Sequence, residues 1–366
     1  TNQICGHRSG TASSVTSLTI NIQGNLNITN GAFYYVRNTG INPTTWNLYG
    51  NMNMTAGSFP NSVATASLHF AKTGTQTYSK TGGTMTSAII IIDGTSTVDA
   101  GTSAFDGSCA LTISSGATLI SANASGSITT TGTKTLSPTA NYSFNGTVAQ
   151  TTNASLTGAN NITVNNAAGV TLGAATAVTG TLTLTSGKVN LGAGSLTLTN
   201  AISGASSSNY VVTSGAGLLK FLGVTSTPVT YHVGNSATSY TPLTIANTGT
   251  TNDIGVASSG TITNNIYDTS RAVKLQWNIN SGGAGAVTDV TYNWNTANQG
   301  LSFNNTGSGE LGVFTTAPYT LYPLGTLAGT TVTKTGLALA TGNNLNVIAN
   351  SGKIFIAPMI GWDMSP

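Results

Sequence analysis

The chain has 366 residues, of which 5% are charged and 39% apolar, with a formal net charge of +3 and a mean hydropathy of +0.11. So few Asp, Glu, Lys and Arg cannot build helix surfaces laced with i,i+4 ion pairs, and the apolar share is too high for charge-driven disorder. No charged residue lies between Lys134 and Lys188 and no Lys/Arg block occurs anywhere, which excludes a clustered phosphate-binding stripe; no apolar run approaches the ~20 residues of a membrane helix.

An abundance of Thr, which favours strands, and of Gly and Asn, which favour turns, reads as all-β. In chain order, the first strong signal is a repeat. Gly24-Asn25-Leu26-Asn27-Ile28-Thr29-Asn30-Gly31-Ala32-Phe33 returns 26 residues later as Gly50-Asn51-Met52-Asn53-Met54-Thr55-Ala56-Gly57-Ser58-Phe59. The frame, Gly followed by alternating apolar and polar residues and a second Gly seven positions on, recurs at Gly94–Gly101 and Gly180–Gly187. Each unit is a short period-2 strand that cannot bury its apolar face alone, whereas stacked units can. The expected fold over residues 1–204 is a right-handed β-solenoid with Asn ladders along the stack. The intervals of 26, 44 and 86 residues between the clearest units suggest loops inserted between coils.

Beyond about Ala205 the strands lengthen and become aromatic, as at Val229–Val233, Val273–Ile279 and Val290–Trp294. Seven or more such strands with Gly-rich turns predict an antiparallel β-sandwich over residues 205–366, with a boundary near Gly204–Ser208.

The run Val178–Val189 through Ser208–Val212 resembles the repetitive regions of large secreted surface proteins of the Bacteroidota, Tyr231–Gly234 and Ser239–Ile245 resemble the segment that follows in those proteins, and Leu275–Ile279 and Tyr292–Asn295 resemble their terminal sandwich. The likeness spans residues 178–357, and its motifs are low in complexity. It implies an extracellular or cell-surface structural or adhesive protein; many of that kind leave the cell by type IX secretion. The start at Thr1 without Met fits a processed, secreted form.

Groups able to do chemistry are sparse, and no cofactor is expected. Asp93, Asp99 and Asp106 are the densest acidic set, a weak calcium candidate or, in a polysaccharide-degrading β-helix enzyme, an acid–base pair. No His, Lys or Arg between Lys80 and Lys134 offers them a partner, and turn capping beside Gly is the plainer role. His7, His69 and His232 show no metal spacing, and no Gly-x-Ser-x-Gly elbow with a placed His occurs. Cys5 and Cys109 are a disulfide candidate, with two buried free thiols as the alternative. Trp46 and Tyr49 are candidates for gripping sugar rings, which makes surface glycans a second partner class.

The expected function is a non-enzymatic structural subunit of an extracellular filament, sheath or surface layer, with copies of itself as the main partner. Association is expected by β-edge pairing or strand donation from segments that include Thr1, Cys5, Ile356 and Trp362. A surface adhesin or carbohydrate-binding module, and a polysaccharide-degrading β-helix enzyme, are the alternatives.

Overall fold

The computed structural model describes residues 18–33, 44–60, 66–264, 266–352 and 355. The chain is all-β, with a β-solenoid of about nine turns and antiparallel sheets. It divides into two compact units after Val189, so the boundary expected near Gly204 falls inside the second unit.

In the first unit each coil up to Phe144 places one strand on each of two parallel sheets, and the second of these sheets continues through the coils that follow. One sheet runs Leu18–Ile22, Thr44–Leu48, Ala66–Phe70, Ile89–Ile92, Ala110–Ile113 and Lys134–Leu136. The other begins Leu26–Ile28, Met52–Met54, Gly74–Lys80 and continues to Leu182–Ser186. A third side is sketched by Ser58–Pro60 against Thr84–Thr86 and by the bridges Ala32 to Ser58 and Phe105 to Ile128. Strand alternation points every second side chain inward. Leu48, Phe70, Ile92 and Ile113 form one buried column, and Tyr78 stacks on Phe105 with ring centres 4.2 Å apart.

Successive rungs pair Leu26 with Met52, Met52 with Tyr78, Gly74 with Ser96, Thr97 with Thr118, Tyr142 with Ile162 and Ile162 with Leu182. The step therefore stays between 20 and 26 residues along this sheet. The intervals of 44 and 86 residues hold further rungs of divergent sequence, rather than the inserted loops expected from the spacing.

The two Gly columns of the repeat have separate physical causes. Gly31, Gly57 and Gly83 turn the corner at φ of 74°, 79° and 76°, where an L side chain is strained. Gly50 has no such φ, but a Cβ there would run into the Gly24 carbonyl of the rung before it. The Asn side chains do form ladders. Asn47 Nδ2 donates to Asn21 Oδ1 (3.0 Å), and the Asn51 and Thr77 backbone N–H groups donate to Asn25 and Asn51 Oδ1 (2.9 Å each).

Corner carbonyls that point inward are met by buried polar side chains. Gln76 Nε2 donates to the Leu48 and Gly50 carbonyls, Ser96 Oγ to those of Phe70 and Lys72, and Gln150 Nε2 to those of Ser121 and Asn123. These bonds answer the cost of leaving a buried acceptor unpaired.

In the second unit, parallel pairing recurs between Leu196–Leu198 and Leu219–Val224 and between Val211–Val212 and Val233–Ser236. Leu219–Val224 then switches sense, pairing antiparallel with Asn252–Ser259. That sheet continues through Gln276–Ser281, Gly342–Asn350, Ser308–Phe314 and Thr320–Thr326; a second holds Val229–Tyr231, Leu243–Asn247, Val287–Asn293 and Thr331–Ala338. The sheets face each other as a sandwich. Trp277 packs edge-on to Tyr292 at 5.4 Å, the Tyr292 hydroxyl donates to Asn346 Oδ1 (3.1 Å), and that of Tyr231 to the Ile254 carbonyl (2.9 Å).

Gly50→Ala is expected to destabilise the protein by about 1–3 kcal/mol through overpacking. Gly24→Ala, at the same repeat position but with no described residue within 4 Å of the added Cβ, should change stability by less than about 0.5 kcal/mol. Urea midpoints of the two variants check this, and equal losses would contradict it.

Candidate functional site

The first described rung, Leu18–Ile28, stands apart from those that follow. Leu18–Ile22 and Leu26–Ile28 end their sheets among the described residues, each pairing with one strand only. Ile22 and Ile28 offer their carbonyls to the Tyr49 and Thr55 N–H groups, and the Leu26 N–H donates to the Asn51 carbonyl. By alternation, the backbone groups of Thr19, Asn21 and Asn27 point to the opposite edge. Between Leu18 and Ile28 there is no charged residue or proline, the usual devices that blunt an edge.

Gly24 sits on this rung. Its counterpart Gly50 is forced to be glycine by the rung before it, whereas a Cβ on Gly24 meets nothing within 4 Å among the described residues and its φ is not left-handed. The surface thus keeps the clearance that a preceding rung would require.

The sandwich edge is protected by contrast. Thr320–Thr326 carries Pro323 in mid-strand, and Lys334 Nζ lies 5.3 Å from the Tyr322 ring centre. Both are features that discourage strand addition. The sandwich unit also holds a hollow of about 460 Å³ bordered by Ile202, Leu222, Pro228 and His232. Burial pushes the His232 imidazole below its ordinary value, and Nδ1 lies 2.6 Å from the Tyr240 hydroxyl.

The predicted site residues are dispersed. Asp93, Asp99 and Asp106 do not converge, and among the described residues no three His, Cys, Asp or Glu groups could hold a metal together. Asp93 lies 2.8 Å from His69 Nδ1, Asp99 accepts from the Gly101 N–H, and Asp106 pairs with Lys80 at 2.8 Å. The partners of Asp93 and Asp106 sit 24 and 26 residues back, one coil away. A search of linear neighbours misses them; adding the repeat period to each charged position finds them.

Trp46 is 4% exposed, packed edge-on to Phe33 at 5.5 Å, so its ring is core and is not presented to a sugar; Tyr49 is half-buried. Cys109 is a buried free thiol that donates to the Asp106 carbonyl (3.2 Å), rather than half of a bridge. Cys5 lies outside the described residues, as do Thr1, Ile356 and Trp362. No helix among the described residues is long and apolar enough to cross a membrane.

Burial raises the Cys109 thiol above its ordinary value, which depletes the reactive thiolate at neutral pH. Iodoacetamide should therefore modify Cys109 only after denaturation. Rapid alkylation of the native protein there would contradict this placement.

Comparison of the chain with protein-family models, with curated proteins and with solved structures finds no match.

Proposed function

We propose that the chain is a structural subunit of an extracellular filament, sheath or surface layer, and that a second copy adds a β-rung to the solenoid edge at Leu18–Ile28. The observation that carries this reading is Gly24. A glycine that neither its φ nor any neighbour among the described residues requires is explained by a rung that stacks on it from outside. The chemistry of the edge agrees. Thr19, Asn21 and Asn27 direct backbone donors and acceptors outward, and one further step of the Asn25–Asn51 ladder would engage the incoming strand. With only 19 charged residues in the chain, little self-repulsion opposes such contact. A head-to-tail addition that does not close on itself propagates as a fibre.

Gly24→Val separates folding from assembly, because a Cβ at that position meets no described residue of the single chain and would clash with a stacked rung. Wild-type protein should sediment as concentration-dependent oligomers and show filaments in negative stain. Gly24→Val should give a monodisperse monomer with an unchanged circular dichroism spectrum. A wild-type monomer at the highest soluble concentration, or filaments undiminished in the variant, would sink the proposal.

A further inference from the structure

On the outer surface of the first sheet, three side chains from two rungs line up in a way that the assembly reading leaves unused. Strand Ala66–Phe70 buries Ala66, Leu68 and Phe70 completely, so Ser67 and His69 project from its other face. Asp93 follows strand Ile89–Ile92 on the next rung, and its N–H donates to the Phe70 carbonyl (3.2 Å), which holds it beside His69. Asp93 Oδ1 lies 2.8 Å from His69 Nδ1, and Ser67 Oγ lies 3.0 Å from His69 Nε2. A carboxylate only accepts, so the ring proton belongs on Nδ1 facing Asp93; Nε2 is then left to accept from the Ser67 hydroxyl. Hydroxyl, imidazole and carboxylate therefore stand in the order of a nucleophile, its base and the group that orients the base.

We propose that Ser67, His69 and Asp93 form a nucleophilic serine site for carboxylic esters. Ser67 Oγ adds to the ester carbonyl carbon while its proton passes to His69 Nε2. The carbon–oxygen bond to the alcohol then breaks, and His69 returns the proton to the departing oxygen. Water repeats the sequence on the acyl-serine, so the sum is ester plus water to acid plus alcohol. Asp93 holds the tautomer and faces the imidazolium as it forms.

The surroundings define the substrate class. Thr45 and Asn47 on the preceding rung are in register with Ser67 and His69, and Ile91 on the following rung is in register with His69, giving the site uncharged neighbours on both sides. The three groups lie on the outer face of a parallel sheet, which favours a short acyl group projecting from an extended chain, such as an acetyl ester on a polysaccharide. Rigid strands, anchored by buried alternate residues, supply the positioning that such a relay requires.

The test uses a fluorophosphonate probe on the full chain, followed by peptide mass spectrometry. Ser67 Oγ displaces fluoride from phosphorus, and the hydroxyl proton leaves with it. The wild-type protein should carry one adduct, on Ser67, and Ser67→Ala should carry none. His69→Gln and Asp93→Asn should label at least ~100-fold more slowly, the scale of a lost general base. All three side chains are on the outer face, and circular dichroism checks that each variant folds. The near-isosteric Asp93→Asn keeps the test decisive if another variant does not. An unlabelled wild-type Ser67, or labelling at an equal rate in folded His69→Gln or Asp93→Asn, would overturn the proposal.

Discussion

The structure of the first unit depends on one constraint: each rung must satisfy its backbone hydrogen bonds on the rungs above and below it. In a parallel stack the strands lie only ~4.8 Å apart, and at Gly50 and Gly57 the backbones meet with no room for an added Cβ, whereas Gln76 occupies the Gly50 position on the next coil. The repeat's glycines follow from that spacing. Gly57 combines a φ of 79° with contact to the Gly31 carbonyl, whereas Gly50 is forced by contact alone. Inside the corners, Gln76, Ser96 and Gln150 supply the donors that turning carbonyls would otherwise lack.

The same constraint decides where polar and charged groups find partners. Along one strand, side chains two apart share a face; across the stack, residues one coil apart do. Asn21 meets Asn47, His69 meets Asp93 and Lys80 meets Asp106 by this rule. A chain with very few charges still pairs these two acids, because the period brings a cation or an imidazole within reach. It also explains the two proposals together. The first described rung has the backbone chemistry of every other rung and one neighbour fewer among the described residues, and the Ser67–His69–Asp93 relay needs groups from two adjacent coils.

Much of the fold was legible in the sequence. The repeat from Gly24 to Phe59 has the register seen between Leu26–Ile28 and Met52–Met54, and the aromatic strands around Trp277 and Tyr292 do form a sandwich core. Between Gly94 and Gly180 the strands at Leu111–Ile113 and Ile162–Val164 are legible as similar strands, but the Gly frame is lost because inward positions need only an apolar side chain of suitable size, so the sequences diverge while the step stays near 20–23 residues. Thr320–Thr326 carries Pro323, which argues against a strand in sequence, yet an edge position tolerates the missing N–H. The polar pairs escaped detection for a different reason. Reading Asp93 and Asp106 against their linear neighbours ignores the coil period, and Trp46 looked like a surface aromatic until its strand alternation placed it inward.

Rung addition at the solenoid edge can be read directly by peptide-level hydrogen exchange on dilute and assembled material. Exchange should slow selectively in peptides covering Leu18–Ile28, where the Thr19, Asn21 and Asn27 amides would gain partners, while the buried strands from Ala66 onward keep their rates. Unchanged exchange across Leu18–Ile28 in assembled material, with protection appearing instead on Thr320–Thr326, would contradict the account.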